Sequence, residues 1–495
     1  MSREAPAALV IGSGFGGLAA AIRLGARGYR VTVLERLDRP GGRAAVHEQD
    51  GFRFDAGPTI VTMPQLFEEL WALCGRRLRD EIDLRALEPF YRVRFADGSV
   101  VDWSGEEASM RALVERIAPG DLAGYERLLA WSQRVYAVAF EQLAHRPFDS
   151  LWSMARALPD LLRIGALRSL HARVASEVRD ERLRFLLSFH PLFVGGNPFT
   201  ASAVYGLILH LERAAGVHFP MGGVGSLVRG MVSLIEGQGG RVRYGAGVRQ
   251  ILLEQRSVRG VELESGERLE ARVVVSNADT AWTYARLLGH APRRHWSDRR
   301  LERARYSMGL FVWYFGTRVR YEDVPHHSIL VGPRYEQLLH DIFQRKRLAD
   351  DFSLYLHRPT ATDPSLAPRG CDAFYVLSPV PNLGSGVDWG QQAESYRQRV
   401  ERFLEATVLP GLAGNVVTSR VMTPVDFRDR LLSWQGAGFG MEPLLRQSAW
   451  FRPHNRSEDF EGLYLVGAGT HPGAGIPGVL SSARVLDELV PDARD

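Results

Sequence analysis

The sequence predicts an α/β fold: a parallel sheet flanked by helices, interrupted by an inserted α+β region. Three observations predict it. Residues 8–34 read as a strand, a glycine turn, a helix and a second strand. Residues 463–489 read as an all-apolar strand, a glycine loop and a closing helix. Between them, short strands over 241–276 lead back towards the first unit, while helical and strand-rich stretches fill the rest.

In the first unit the strand covers Ala8–Ile11, the helix runs from Gly16 to about Ala26, and the second strand covers Arg30–Leu34. Gly12, Gly14 and Gly17 form G-x-G-x-x-G between strand and helix, the context in which that spacing carries meaning. Gly12 permits the tight turn, Gly14 lets backbone approach a pyrophosphate, and Gly17 lets the helix pack close to the strand. The free N–H groups at the helix start, around Phe15 and Gly16, face the anion. Glu35 closes the second strand, where a carboxylate accepts hydrogen bonds from a ribose and disfavours a 2′-phosphate; Arg36 beside it is a further candidate contact. The bland alternative is a glycine-rich helix start in an unrelated α/β domain.

Gly41-Gly42-Arg43 narrows the choice of dinucleotide. The arrangement resembles the glutathione-reductase-like class, in which a second glycine pair followed by Arg lies beside the FAD diphosphate. That resemblance points to FAD over NAD and makes Gly42 and Arg43 cofactor contacts. Phe54-Asp55-Ala56-Gly57-Pro58-Thr59 ends a short alternating strand in a Gly-Pro turn. Gly57, Pro58 and Thr59 either deliver backbone to a flavin or form a surface hairpin. Strands at Arg241–Tyr244, Val248–Glu254, Val258–Glu264 and Val273–Ser276 read as the antiparallel insertion and returning strand of the same class. In that class backbone at a position like Val248 meets the adenine, and Asn277 follows the returning strand. In the C-terminal loop, Gly467, Gly469, Gly475, Ile476, Pro477, Gly478 and Val479 are candidate contacts. The helix start near Gly478 aims N–H groups at the pyrimidine side of an isoalloxazine.

Composition excludes several chemistries. With 45% apolar residues and a net charge of +4, the 495-residue chain reads as two or three globular domains. Lys346 is the one lysine, which removes nearly every candidate for Schiff-base chemistry. Cys74 and Cys371 form no C-x-x-C, so disulfide exchange and thiolate metal sites are not expected, nor is any metal. No apolar window reaches eighteen residues, and the nucleotide strand starts at Ala8, so neither a span nor a signal peptide is expected.

Residues 90–103 read as a hairpin turning at Asp97-Gly98, and 107–213 as helical. Over 151–178, apolar residues alternate with Arg156, Arg163, Arg168 and Arg173, and Pro159 reads as a break. This stretch fits a helix on the protein's own core better than one in a bilayer interface, on sequence alone. The loop 218–225 opens a helix at Ser226. The basic run RRHWSDRRLERAR, 293–305, lacks a nucleic-acid module and reads as a solvated helix face. Strands recur at Leu310–Phe315, Ser353–Leu356 and Phe374–Ser378.

Taken together, GSGFGGLAAAIRL (12–24), PGGRA (40–44), FDAGPT (54–59), VGGNPF (194–199), FPMGGVGSL (219–227), DFSLYLHRP (351–359), QSAWFRPHNR (447–456) and LYLVGAGTHPGAGIPGV (463–479) resemble the bacterial phytoene desaturases over nearly the whole chain. The glycine motifs alone are shared with amine oxidases and GDP-dissociation inhibitors. The resemblance implies a glutathione-reductase-like FAD-binding Rossmann domain with an inserted α+β substrate domain and a helical membrane-associating region. It divides the chain into a discontinuous FAD domain (1–90, 215–290 and 440–495), a helical region (91–214) and an α+β substrate region (291–439). It implies successive desaturation of phytoene, through phytofluene, ζ-carotene and neurosporene, to lycopene. The mechanism it suggests is hydride transfer from an allylic carbon to flavin N5 with proton loss from the neighbouring carbon. It also implies peripheral docking on the cytoplasmic face of the inner membrane, with 151–178 as the docking region, because the substrate resides in the bilayer. Homo-oligomerisation is left open, and NADPH-driven turnover is not expected. Arg156, His218 and His471 are acid–base candidates by residue type only, so the catalytic residues stay unassigned. Alternatives are a sister desaturase stopping at neurosporene or taking another carotenoid, a flavin amine oxidase, and a non-enzymatic lipid binder.

Overall fold

The structure is a computed structural model and describes residues 5–493. A five-stranded sheet runs in the order Leu463–Leu465, Val273–Ser276, Ala7–Ile11, Arg30–Leu34, Arg241–Arg243, with every pairing parallel. Ala8, Val10, Val33 and Val274 are wholly buried because both faces are covered. One face carries helices Phe15–Ala26, Gln65–Leu73, Gly225–Gly237 and Ile476–Arg484, which share one core. The other carries the antiparallel meander Val248–Glu254, Ser257–Leu263 and Arg268–Glu270. Arg30–Leu34, Val248–Glu254 and Val273–Ser276 fall at their predicted bounds, since period and flanking turns are both local signals.

A seven-stranded mixed sheet forms the second layer. Its order is Val416–Met422, Gly309–Thr317, Asp372–Val380, Leu354–His357, His327–Leu330, Tyr91–Arg94, Val100–Trp103. The nine-residue strand Gly309–Thr317, second from one edge, is buried throughout, with helix Trp389–Thr407 on one side and the Leu338–Phe343 turns on the other. The 90–103 hairpin is the edge of this sheet, with Tyr91–Arg94 parallel to His327–Leu330. Stretches 91–214 and 291–439 therefore share one sheet.

Helices Glu107–Ile117, Leu122–Tyr136, Leu151–Arg163, Leu170–Ala175, Glu181–Ser188 and Leu207–Ala215 make up the helical stretch. Pro159 does not break its helix. It lies inside Leu151–Arg163, and the chain turns off that helix after Ile164, at Gly165, where φ is +78°. The bond Pro159 cannot donate would go to the Ala155 carbonyl, and Ala155 is exposed, so water can take its place. Ser150 caps this helix by accepting from the Ser153 amide at 3.2 Å. Among the described residues no helix is long and apolar enough to cross a membrane.

Candidate functional site

A cavity of about 900 Å³ runs from the glycine loops of the parallel sheet into the space between the second sheet and the helical stretch. Its first end is lined by Gly12, Gly14, Phe15, Gly16, Glu35, Arg36, Gly42, Arg43, Gly57, Pro58, Thr59, Val248 and Asn277, with Gly467, Gly475, Ile476, Pro477, Gly478 and Val479 opposite. Gly17 and Gly469 lie behind this wall rather than on it. A Cβ at Gly17 would overlap the Gly12 carbonyl oxygen, and one at Gly469 would overlap Thr280 Oγ1. Close packing, not ligand contact, requires these two glycines.

Glu35 is 6% exposed and accepts three hydrogen bonds. Its Oε2 takes the Ser13 amide at 2.9 Å and the Ser13 hydroxyl at 2.6 Å, and Oε1 takes the Leu37 amide at 2.8 Å. The Gly41 amide donates to the Ser13 carbonyl at 3.0 Å. Ser13 thus ties both glycine loops to the acidic residue. Sequence reasoning missed it, although it is the second residue of the turn motif. The carboxylate retains acceptor capacity on the cavity side, as a ribose hydroxyl requires.

Asn277 is the hub of the turn. A Cβ at Gly16 would lie 2.6 Å from its Oδ1 and one at Gly14 would lie 2.9 Å from its Nδ2. A Cβ at Gly467, where φ is +97°, would lie 2.6 Å from the same Oδ1, so the first and last loops of the chain pack against one amide side chain. Neither helix facing the cavity here, Phe15–Ala26 or Ile476–Arg484, has a side-chain cap. Their orphan N–H groups are left to face an anion or a polarised carbonyl.

Arg43 Nη2 donates to Ser433 Oγ at 2.7 Å, while its buried Nε has no partner. Burial lowers the Arg43 pKa, and the Asp279 carboxylate opposes that shift. Burial raises Asp279 in turn, although Arg43 and the Trp282 amide, which donates to it at 3.1 Å, both favour its charged form. Arg36 instead donates to the Asp429 and Arg430 carbonyls at 3.0 and 2.5 Å, which fastens the second sheet's Pro424–Leu431 helix to the nucleotide end.

The far end of the cavity is apolar, with Phe185, Phe189, Phe193, Ile329, Leu354 and Met422 among its walls. Leu158, Leu161, Leu162 and Leu167, from the helix Leu151–Arg163 and the turn after it, also line it. Of the three acid–base candidates, only His471 reaches the cavity. Its Nε2 hydrogen-bonds the Leu143 carbonyl at 3.0 Å, and burial pushes its pKa down to about 4. Arg156 is exposed, and His218 belongs to the short strand His218–Pro220 outside the lining. The basic run at 293–305 is partly neutralised: Arg293 pairs with Asp298, and Arg300 stacks over Trp296 at 3.7 Å.

The residues fit FAD. Close-packed glycines leave bare backbone at the cavity wall in two loops, two uncapped helix starts face them, and an acceptor-bearing carboxylate lies between. Such a nucleotide cleft opening into a long apolar cavity defines a flavin-dependent oxidoreductase.

The flavin-containing amine oxidoreductase family matches residues 15–485. The chain is 51% identical to a neurosporene-forming phytoene desaturase of Cereibacter sphaeroides, over 99% of this chain and 95% of that one. It is 48% identical to a lycopene-forming phytoene desaturase of Pseudescherichia vulneris, over 97% and 98%. Among solved structures, a putrescine oxidase variant superposes with a TM-score of 0.68 at 13% identity, covering 99% of each chain. An oxidoreductase from Methanosarcina mazei gives 0.65 at 20% identity, covering 97% of this chain and 100% of that one. These two share the fold. The chain belongs to the phytoene desaturases of the flavin-containing amine oxidoreductase family. It is an FAD-dependent oxidoreductase acting on CH–CH bonds.

Proposed function

We propose that the protein desaturates phytoene stepwise, through phytofluene, ζ-carotene and neurosporene, to lycopene. The continuous cavity from the glycine loops to the aromatic and aliphatic far end carries this reading. It suits a long, rigidifying hydrocarbon drawn past one reactive point, with no charged group required to hold it. Gly12, Gly14 and the Phe15–Gly16 helix start hold the FAD pyrophosphate, Glu35 the ribose and Val248 the adenine. Arg43, the Gly57–Thr59 turn and the Gly475–Val479 helix start flank the flavin. Held by these residues, FAD would supply a two-electron acceptor for hydride from an allylic carbon. The chain's own residues exclude water, align the polyene and let neighbouring conjugation spread the developing positive charge. Arrest at neurosporene is the second reading, since relatives at 51% and 49% identity are neurosporene-forming.

The substrate reaches the cavity from a bilayer. The helix Leu151–Arg163 buries only Ala157. Leu151, Trp152 and Leu167 are 69%, 79% and 65% exposed, beside leucines that line the cavity. That apolar mouth rests on the inner membrane's cytoplasmic face, and the parallel sheet with residues 1–90, 215–290 and 440–495 carries the cofactor behind it. The test is incubation with FAD and phytoene-loaded liposomes, followed by pigment chromatography. Lycopene establishes the four-step product, neurosporene the three-step one, and unchanged phytoene with flavin bound overturns the substrate.

A further inference from the structure

One wall of the cavity carries a polar chain that starts at Thr59, in the turn beside the flavin, and continues into groups that neither cofactor binding nor hydrocarbon binding needs. Thr59 Oγ1 and Tyr355 OH are 2.6 Å apart, and both residues line the cavity. Tyr355 OH bonds His327 Nδ1 at 2.7 Å. Beyond it lie His326 and His357, whose Nε2 atoms are 3.0 Å apart. Ring nitrogens of all three histidines lie within 4.8 Å of one another. His326 Nδ1 bonds Thr362 Oγ1 at 2.6 Å, and half-buried Thr362 follows exposed Ala361. His327 Nε2 is buried without a partner.

The sheet builds this cluster. His327 and His357 are direct cross-strand partners, and His326 immediately precedes the same strand. All three are at most 6% exposed. An apolar residue in each place would fill the sheet without burying polar atoms, one of which is unpaired. Burial pushes His327 down to about 3 and holds His326 and His357 well below the ordinary imidazole range. Neutral imidazole has one N–H and one lone pair on opposite sides of the ring, which lets a proton enter at one nitrogen as another leaves from the second.

We propose that Thr59, Tyr355, His327, His357, His326 and Thr362 form a proton exit path from the cavity to solvent. The proposal rests on the desaturation reading. Each new double bond removes one hydride, carrying two electrons to the flavin, and one proton. The electron pair of the second C–H bond becomes the new π bond, so that proton leaves without electrons. It passes to Thr59 Oγ1 as the Thr59 hydrogen moves to Tyr355 and the Tyr355 hydrogen moves to His327 Nδ1. A water in the gap beside His327 Nε2 carries that nitrogen's hydrogen to His357, whose Nε2 hydrogen passes to His326 Nε2 as the His326 Nδ1 hydrogen moves to Thr362 Oγ1 and the Thr362 hydrogen leaves to solvent. Each ring gives up one hydrogen as it gains another, so no buried imidazole has to hold the positive charge that burial disfavours.

The test uses the full-length FAD-loaded protein on phytoene liposomes. Flavin content, melting temperature, flavin reduction rate in H2O and D2O, and metal content are measured together. Tyr355→Phe removes one hydroxyl and breaks the path at its second member, with Tyr375→Phe as a cavity-lining control outside it. The expected result is flavin reduction at least tenfold slower in Tyr355→Phe than in the control, with flavin content unchanged. The solvent isotope effect of the parent protein is expected to be at least twofold and to be changed in Tyr355→Phe. His357→Ala is expected to be slow and to recover several-fold with added imidazole, which a purely structural role would not allow. Tyr355→Phe reducing at the control rate overturns the path, as does the absence of imidazole rescue in a folded His357→Ala. Stoichiometric zinc in the purified protein would also overturn it, because the ring nitrogens would then be ligands. A parent protein that produces no desaturated pigment refutes the functional reading instead.

Discussion

Glu35→Gln isolates the part of the nucleotide site that is built rather than merely roomy. The carboxylate accepts from the Ser13 amide, the Ser13 hydroxyl and the Leu37 amide at 2.9, 2.6 and 2.8 Å, and it is 6% exposed. A glutamine keeps the shape but turns one acceptor oxygen into a donor NH2, so either Leu37 N–H or the Ser13 pair faces another donor. Losing one buried charge-assisted hydrogen bond costs about 1.5–3 kcal/mol. The same substitution presents a weaker acceptor to a ribose hydroxyl, so FAD affinity is expected to fall about 10- to 100-fold. Titration of apo-protein with FAD, followed by quenching of flavin fluorescence, measures the change. Thermal unfolding of the apo-protein separates the loop contribution, because Ser13 also holds the second glycine loop through the Gly41 amide. An unchanged FAD affinity with an unchanged apo melting temperature would refute the role assigned to Glu35.

Three further outcomes follow from the same geometry. Gly17→Ala places a methyl on the Gly12 carbonyl oxygen, and the helix must shift off the strand; the apo-protein is expected to lose about 1–3 kcal/mol in urea unfolding and to bind FAD weakly. Asp55 accepts from the Val224 and Gly225 amides at 2.9 and 3.3 Å, yet burial raises its pKa to about 6. The folded state then keeps a proton that the unfolded chain has lost, so this group's contribution falls as pH rises from about 4 to about 6 and is level above that. The size is about 3 kcal/mol; the difference between the stability–pH curves of the native protein and Asp55→Asn should show that slope, and parallel curves would exclude it. Changing Leu158, Leu161 and Leu162 to Ser is expected to abolish most flotation with anionic liposomes, and undiminished flotation would remove this helix as the docking face.

What could be read before folding was whatever sits within one turn of chain. The Gly12–Gly17 turn, Glu35 at the end of its strand and the C-terminal glycine loop were legible because backbone conformation and helix dipoles act over a few residues. The strands Ala7–Ile11, Val273–Ser276 and Leu463–Leu465 of the parallel sheet were legible from their apolar runs. Pro159 was misread as a break because its cost depends on whether water reaches Ala155, which the sequence does not state. Ser13 escaped notice because its partners, Glu35 and Gly41, lie 22 and 28 residues away.

By itself, then, the sequence determined the nucleotide-binding unit and, through motifs spread along the chain, the family to which it belongs. Only the tertiary structure decided that the hairpin at 90–103 would edge a sheet built from residues beyond 309. It alone made the cavity continuous and brought His326, His327 and His357 together with Thr59 against its wall. The physical reason is range: a turn or a cap is settled by neighbours, whereas strand order and side-chain convergence depend on which distant surfaces bury one another.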